Sequence, residues 1–386
     1  DNSILKLSIT GSIVEQESDV DPFSDLVNDA LGFAPPTSET LLQDILDAIS
    51  QAEDDPQISG LLLELSTMGS AAMNQLESIG SALKQFRLSG KPVIAAEDYY
   101  NQNQYYLASF ADQVFLNPMG GIYLSGFGTY RLYFKEAIEK LKINYHVFRV
   151  GSFKSALEPL TRSSMSSDDR YQTRTWLTSL WKNYVQDVAD QRKLDPDVIL
   201  DYINNVPENL KNVDGNLAQL ALQSGLINEI KTRHETKAYL ASISSPDKDH
   251  GYTHVSLNQY LKKVHRSYQY EGNEKETVAL IVAQGTIIPG QTKPGGNGAE
   301  TLSALIRTAA ASPSIKAVVL RVDSGGGSAF ASELIRQEIL QLKKTGKPLV
   351  VSMGAVAASG AYWISADADK IVASTNTLTG SIGIFM

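Results

Sequence analysis

Ser359 stands in a run of small residues, 353–361, that the sequence places between a strand and a helix. Such a turn exposes a hydroxyl and leaves room for a peptide backbone. The start of the helix supplies unpaired N–H groups and a positive dipole end, which are the donors that stabilise an oxyanion. Ser359 is therefore a candidate nucleophile, and the alternative interpretation is a serine in a tightly packed turn.

Three consecutive glycines, Gly325, Gly326 and Gly327, follow the predicted strand 318–322 and precede a predicted helix. Glycine permits positive φ and close backbone approach. We therefore expect their N–H groups to bind an anion or an oxyanion, or to pair with an extended peptide. The alternative interpretation is a flexible turn between strand and helix. A phosphate-binding loop is disfavoured because the Gly-Lys-Ser/Thr ending is absent.

Lys154 lies in an apolar stretch, with Arg149 and Arg162 nearby in sequence. Burial and neighbouring positive charge both lower the pKa of a lysine, and a lysine so altered can act as a general base. The alternative is an ordinary surface lysine that pairs with Glu158.

None of the five histidines falls near Ser359 or the glycines. His250 and His254 are four positions apart in a polar loop without a glutamate between them, so a zinc site is disfavoured. A serine nucleophile without a histidine needs another base, and lysine is the known substitute. The sequence therefore predicts no metal site and no cofactor.

The composition excludes several classes of protein. The 386 residues are 42% hydrophobic and 20% charged, with a net charge of 34 − 43 = −9, which indicates globular domains without a nucleic-acid footprint. The absence of cysteine excludes disulfides and thiolate catalysis. No apolar run approaches 18 residues and the N-terminus has no signal pattern, so we expect any membrane anchor to be absent from this chain or removed.

The chain contains an internal repeat. Residues 89–93 resemble 345–349, and residues 111–114 resemble 368–371, with offsets of 345 − 89 = 256 and 368 − 111 = 257. Each copy alternates short β-branched runs with helical patterns, which predicts an α/β unit built on a parallel sheet with crossover helices.

The repeat predicts three segments: a first α/β repeat with a helical extension (1–241), a polar linker (242–276) and a second repeat (277–386) that we expect to be truncated. Alignment places Ser359 opposite Asn103, so the first copy lacks the serine. Lys154 lies beyond the part of the second copy that is present. We therefore expect Lys154 of a first repeat to meet Ser359 of a second, within one chain or between two.

Three segments, 149–159, 353–363 and 378–385, resemble the signal peptide peptidase A (protease IV) family in its long tandem-repeat bacterial form. The resemblance covers essentially the whole chain. That family is similar in fold to the Clp protease and crotonase superfamily. The resemblance implies an α/β fold of tandem Clp protease/crotonase-like repeats.

The resemblance also implies a serine protease with a Ser/Lys dyad, in which Ser359 is the nucleophile and Lys154 the general base. It assigns supporting roles to backbone and side-chain groups around the dyad: oxyanion-hole N–H groups at Gly360 and Gly326, a lysine-orienting hydroxyl at Ser381, and a loop for the substrate backbone at Gly325 and Gly327. One departure is Gly325 where the family usually has proline, which loosens the loop.

The implied substrates are cleaved signal peptides and similar apolar peptides. The implied setting is the extracytoplasmic (periplasmic) side of a bacterial cytoplasmic membrane, with an anchor outside this chain and a homo-oligomer, for which we expect a tetramer. Two alternatives remain open. One is a crotonase-type enzyme acting on an acyl thioester, with Asp323 as its base, and the other is a catalytically impaired assembly scaffold.

Overall fold

A computed structural model describes residues 2–19, 38–248, 251–268 and 276–386 of the chain. The strands are β1 (Ser3–Ser8), β2 (Ser12–Val14), β3 (Glu39–Leu41), β4 (Ile58–Glu64), β5 (Val93–Asn101), β6 (Gln113–Tyr123), β7 (Glu229–Ile230), β8 (His254–Ser256), β9 (Thr277–Gln284), β10 (Ile287–Ile288), β11 (Asn297–Gly298), β12 (Ile315–Ser324), β13 (Leu349–Ala357) and β14 (Lys370–Val372). The helices are α1 (Leu42–Asp54), α2 (Met73–Arg87), α3 (Gln102–Ser109), α4 (Lys135–Lys140), α5 (Glu158–Thr161), α6 (Ser167–Arg192), α7 (Pro196–Asn204), α8 (Val206–Lys211), α9 (Leu217–Gln223), α10 (Arg233–Ser242), α11 (Leu257–Tyr268), α12 (Ala299–Ala311), α13 (Ala329–Lys344) and α14 (Gly360–Ser365).

Two parallel sheets share one strand order. The first runs β7-β6-β5-β4-β1-β8 and the second β14-β13-β12-β9, and the neighbours within each sheet pair in parallel. The succession β6-β5-β4-β1 of the first sheet recurs as β14-β13-β12-β9 in the second. The predicted α/β fold of repeated parallel sheets is therefore confirmed.

The repeated Gly-Lys-Pro motif has the same structural task in each copy. The ammonium group of Lys91 donates hydrogen bonds to three backbone carbonyls at the end of α1, at 2.7, 2.8 and 2.9 Å. Lys347 does the same at the end of α12, at 2.7, 2.7 and 2.9 Å. A helix ends with unpaired carbonyls and a negative dipole end, so a cation there stabilises the junction of helix and strand.

The repeated Ala-Asp motif is equally structural. The carboxylate of Asp112 accepts a hydrogen bond from the backbone N–H of Val93 at 2.9 Å, and that of Asp369 accepts one from Leu349 at 2.8 Å. Each carboxylate also forms an ion pair with a basic residue at the end of the helix before that strand, Asp112 with Arg87 of α2 and Asp369 with Lys343 of α13. Both aspartates therefore fix the start of a central strand.

The core of the second sheet lies between its strands and the helices α12 and α13. Ile306 of α12 and Ile335 and Ile339 of α13 are buried, together with Leu320 of β12 and Val351 of β13. Their helical spacing places apolar residues on the faces that contact the sheet. This layer fixes the ends of β12 and β13, which carry the glycine loop and the Ser359 turn.

The chain divides into two compact units whose boundaries differ from those predicted from the sequence. The first unit comprises described residues of 1–126 and 182–272, and the second those of 127–181 and 273–386. The sequence analysis assigned all of 1–241 to the first repeat. The segment 127–181 belongs with the second unit because residues 148–150 form backbone hydrogen bonds with residues 384–386.

The predicted linker 242–276 contains regular structure. In it, β8 pairs in parallel with β1, and α11 follows directly. The linker residues 249–250 and 269–275 lie outside the described residues. No helix in the described part of the chain is both long enough and apolar enough to cross a membrane.

Candidate active site

Ser359 occupies a sharp turn between β13 and α14. Its φ is +54° and its ψ −120°, a conformation that is costly for a residue with a side chain. The backbone holds it there, because Ser359 N–H donates to the carbonyl of Gly380 at 2.9 Å and the Ser359 carbonyl accepts from Trp363 N–H at 3.0 Å. The predicted strand-to-helix turn is therefore present, and it presents the hydroxyl on a strained backbone.

Lys154 reaches the same turn from the loop that precedes α5. Its Nζ lies 3.0 Å from Ser359 Oγ, 3.1 Å from Ser381 Oγ and 2.7 Å from the Ser381 carbonyl oxygen. All three residues belong to the second unit of a single chain. The three side chains that the sequence analysis singled out are therefore brought together.

The burial of Lys154 favours a neutral amine. The side chain is buried, with 6% of the residue exposed, and this burial lowers its pKa below the ordinary value of 10.5. The Phe385 ring lies 5.7 Å from Nζ and covers one side of the amine, where it favours the charged form. The loss of hydration and the ring therefore act on the lysine in opposite directions.

Two backbone hydrogen bonds hold the Ser381 loop, residues 378–385, beside both the Ser359 turn and the Lys154 loop. Ala357 N–H donates to the Leu378 carbonyl at 2.9 Å, which fixes the start of this loop beside the Ser359 turn. At the other end, Val150 N–H donates to the Ile384 carbonyl at 2.9 Å. A Cβ at Gly383 would lie 2.0 Å from the Val150 carbonyl oxygen, so this crossing requires glycine.

The glycine loop lies against the Ser359 turn. A Cβ at Gly326 would be 2.5 Å from the backbone nitrogen of Gly360, and a Cβ at Gly327 would be 2.1 Å from the Ile287 carbonyl oxygen. Neither position can carry a side chain without moving the backbone. The two glycines thus allow the glycine loop to lie against both the Ser359 turn and the strand at Ile287.

The loop departs from the predicted oxyanion donors in one respect. The N–H of Gly326 donates to the buried Ser324 hydroxyl at 3.0 Å, so this group is already engaged. Within the described residues, the N–H groups of Gly327 and Gly360 have no acceptor. A Cβ on Gly360 would be 3.4 Å from the Gly327 nitrogen, which places these two donors close together. Gly325, at the start of the loop, is exposed.

A cleft of about 800 Å³ opens at the dyad. Aromatic and aliphatic side chains form much of its wall: Tyr362, Trp363, Ile382, Ile384 and Phe385. An apolar cleft with a few convergent polar groups is the usual form of a binding site.

Asp323 and His254, which the sequence analysis considered for other chemistry, do not line the cleft at the dyad. Asp323 Oδ1 accepts a hydrogen bond from Val356 N–H at 2.9 Å, which gives it a structural task at β13. His254 lies in β8 of the first unit, and His250 lies outside the described residues. The described part of the chain has no group of three or more metal-ligating side chains.

The roles of Phe385 and of the apolar residues beside it were not predicted from the sequence. Only the alternation of Ile382, Gly383, Ile384 and Phe385 hinted at a backbone crossing with an apolar edge. Arg149 was expected only as a neighbouring positive charge, and the structure gives it a hydrogen bond as well, from Nη1 to the Lys154 carbonyl at 3.1 Å. These contacts depend on tertiary pairing and have no local signal.

Comparison with known proteins gives a consistent set of relatives. The sequence model of "Peptidase family S49" matches residues 85–242 and 341–386. The chain is 41% identical over 381 residues to Protease 4 of Haemophilus influenzae and 41% identical over 383 residues to Protease 4 of Salmonella typhi. These alignments cover 99% of this chain and 62% and 61% of the two proteins.

A chloroplastic serine protease, SPPA of Arabidopsis thaliana, is 28% identical over 386 residues, which are 99% of this chain and 53% of the plant protein. The chain thus spans about three fifths of the length of its two bacterial relatives.

Proposed function

The chain belongs to peptidase family S49, and on that premise we propose that it is a serine endopeptidase that cleaves apolar peptides. Ser359 is the nucleophile and Lys154 the general base. The observation that carries this proposal is the distance of 3.0 Å between Lys154 Nζ and Ser359 Oγ at the end of an apolar cleft.

The hydrogen bonds around Lys154 suit the neutral amine. In the proposed reactive state, the neutral amine donates its two N–H groups to the carbonyl oxygen and the hydroxyl of Ser381, and its lone pair accepts the proton of Ser359. Ser359 Oγ then attacks the peptide carbonyl, Lys154 takes the proton and gives it to the leaving amine, and an acyl-enzyme forms. A water molecule that Lys154 deprotonates in turn releases the acyl group.

The negative charge of the tetrahedral intermediate falls beside Gly327 and Gly360. Their N–H groups have no other acceptor in the described chain, so they are the donors that this proposal assigns to the oxyanion. Gly326 acts as the spacer between them, because any side chain there would collide with the Gly360 nitrogen.

The mechanism needs Lys154 in its neutral form. Burial lowers the pKa of Lys154, so a larger fraction is neutral near pH 7 to 8 than for an exposed lysine. We expect kcat/KM to rise with pH until Lys154 is deprotonated and then to level off.

The wider setting is also proposed. Family membership and the apolar wall support cleaved signal peptides as substrates. We propose that the enzyme acts on the extracytoplasmic side of a bacterial cytoplasmic membrane and as a homo-oligomer, for which we propose a tetramer. The first unit with its non-catalytic turn then serves assembly.

A fluorophosphonate probe tests the dyad directly, because it reacts with activated serines. We expect one label per chain, located at Ser359 by peptide mass mapping, and loss of labelling and of hydrolysis of an apolar peptide ester in Lys154→Met. Lys140→Met, at an exposed lysine of α4, is the matched control and should retain both. Full labelling and hydrolysis by Lys154→Met would overturn the assignment.

The acyl-thioester alternative lacks its expected base, because the Asp323 carboxylate is hydrogen-bonded to β13. Turnover of acyl-CoA esters by the parent protein, retained in Ser359→Ala, would favour that alternative. Absence of any serine labelling would favour the scaffold.

A further inference from the structure

Lys154 approaches the serine from irregular backbone. Residues 150–157 form neither helix nor strand. A lysine side chain has four rotatable bonds, so its amine stays within hydrogen-bond reach of Ser359 only if the backbone on both sides is fixed. Contacts that fix this backbone therefore bear on the reaction without touching the reacting atoms.

One side-chain amide binds both neighbours of Lys154. The amide nitrogen Nε2 of Gln172, on α6, lies 3.2 Å from the Phe153 carbonyl oxygen and 3.3 Å from the Ser155 hydroxyl, and these two acceptors share one of its two N–H groups. Lys154 itself adds a backbone hydrogen bond to the Gly151 carbonyl at 3.2 Å. The loop is thus tied to a helix on both sides of the base.

Gln172 is held in turn by an ion pair whose carboxylate is buried and whose guanidinium is exposed. Asp169 Oδ1 accepts from Gln172 Nε2 at 2.7 Å, and Asp169 Oδ2 lies 3.1 Å from Arg131 Nη1. Arg131 Nη1 also lies 3.4 Å from Ser155 Oγ. Asp169 is only 1% exposed, and a carboxylate so buried is costly unless it is paired and hydrogen-bonded.

We propose that Gln172, oriented by Asp169 and Arg131, is a positioning residue for the catalytic lysine. It sets the distance between Lys154 Nζ and Ser359 Oγ by fixing the backbone on either side of residue 154. This proposal rests on the proposed peptidase function. Because none of the three side chains contacts the dyad atoms in the described structure, their effect is on the rate of the chemical step, with little effect on substrate affinity.

The variant Gln172→Met tests the proposal, because it keeps the length of the side chain and removes its donors. We expect kcat per active site to fall about tenfold, with KM within about twofold of the parent, since small misplacement of a catalytic group is costly. Titration of active sites with the fluorophosphonate counts the competent chains. Labelling at limiting probe concentration should slow by the same factor as kcat.

A second variant and a control complete the test. Asp169→Asn keeps an acceptor for Gln172 but removes the charge that pairs with Arg131, so we expect a smaller fall, about threefold. Gln186→Met removes a comparable amide-to-carboxylate hydrogen bond on the same helix, to Asp190 at 2.8 Å, and should leave kcat unchanged.

Three results would overturn the positioning role: parental kcat per titrated site in Gln172→Met, a loss explained by a lower fraction of folded sites, or an equal loss in Gln186→Met. An inactive and unlabelled parent protein would instead count against the peptidase function itself. The two failures are therefore distinguishable.

Discussion

The two copies of the repeat use the same strand-to-helix junction in opposite ways. In the first copy, the side chain of Asn101 accepts from Gln104 N–H at 3.0 Å, and Gln104 Oε1 accepts from Asn101 N–H at 2.8 Å. This capping box satisfies the N-terminus of α3. In the second copy, Ser359 makes no side-chain cap to α14, and Gly360 N–H has no acceptor in the described chain.

The backbone differs in the same sense. Within the described residues, five non-glycine residues have positive φ, and two of them, Ser359 and Ser381, are the serines that contact Lys154. None of the five lies between 101 and 104 in the first copy. Of the two strand-to-helix junctions, the one at Ser359 therefore carries backbone strain, about 1–3 kcal/mol, and the one at Asn101 does not.

The contrast teaches how a shared scaffold becomes a site. The strand order and the Lys91 and Lys347 caps are common to both copies, so they belong to the fold. An open helix N-terminus, a strained serine and close glycines occur together in one copy only. These features lower the stability of the fold, and proteins commonly keep such destabilising features where activity requires them.

The largest effect should come from giving the second copy the residue of the first. We expect Ser359→Asn to lower peptide-ester hydrolysis by at least about 10⁴-fold, because the other hydroxyl beside Lys154, that of Ser381, does not lie on the turn at the start of α14. Far-UV circular dichroism and the melting temperature should stay near the parental values. Rates within tenfold of the parent would break the comparison.

The reciprocal variant, Asn103→Ser, should gain no activity in the Ser359→Asn background. Its turn has a satisfied capping box and lacks the positive φ of Ser359. A fluorophosphonate label at residue 103 would show that the first copy retains a usable site.

A smaller loss is expected from Gly327→Ser, because the repeat offset of 257 residues places Ser70 of the first copy opposite Gly327. The new Cβ would meet the Ile287 carbonyl oxygen, so the loop must move and carry its N–H away from the oxyanion. We expect kcat to fall about 10²-fold or more, the typical cost of one oxyanion donor, with KM less affected. Ser70→Gly is the matched control, and equal loss in both variants would contradict the assignment.

The shared caps should behave alike in both copies. Removing the three hydrogen bonds of one ammonium group, in Lys91→Met or Lys347→Met, should lower the free energy of unfolding by about 2 kcal/mol. Urea denaturation followed by circular dichroism measures it. A large cost in one copy and none in the other would show that the anchors are equivalent in sequence only.

Much of the fold could be predicted from sequence because its determinants are local or repeated. The Gly-Lys-Pro and Ala-Asp motifs are short and occur in both copies, so a structural interpretation of one copy can be checked against the other. The Ser359 turn could be predicted as well, because small residues cluster at the end of a β-branched run.

The position of segment 127–181 could not be predicted in the same way. It follows the first copy in sequence, but its pairing with residues 384–386 and the bond from Lys154 to Ser359 join it to the second unit. The oxyanion donors show the same limit. The sequence shows three adjacent glycines but not which N–H groups are available. The structure answers this, because the Gly326 N–H donates to the Ser324 hydroxyl and the Gly327 N–H has no acceptor among the described residues.

The smallest effects that we expect are on the pH dependence of stability, through one titratable group in each unit. In the first unit, burial raises the pKa of Glu97 from 4.5 to about 7. Its stabilising contribution is fully present below pH 4.5 and is lost as pH rises through about 7. In the second unit, burial lowers the pKa of Lys154 below 10.5, so its contribution is present above pH 10.5 and is lost as pH falls through the native pKa.

The neutral variants Glu97→Gln and Lys154→Met therefore test the two units in opposite directions. The melting temperature of Glu97→Gln relative to the parent should rise between pH 4.5 and 7.5, because the variant no longer loses a proton. That of Lys154→Met should be highest relative to the parent at neutral pH and decline towards pH 10.5. Calorimetric melting temperatures across that range measure both differences. A flat pH profile for either variant would mean that its group keeps its ordinary pKa in the folded chain, and for Lys154 that would remove the supply of neutral amine that the dyad requires.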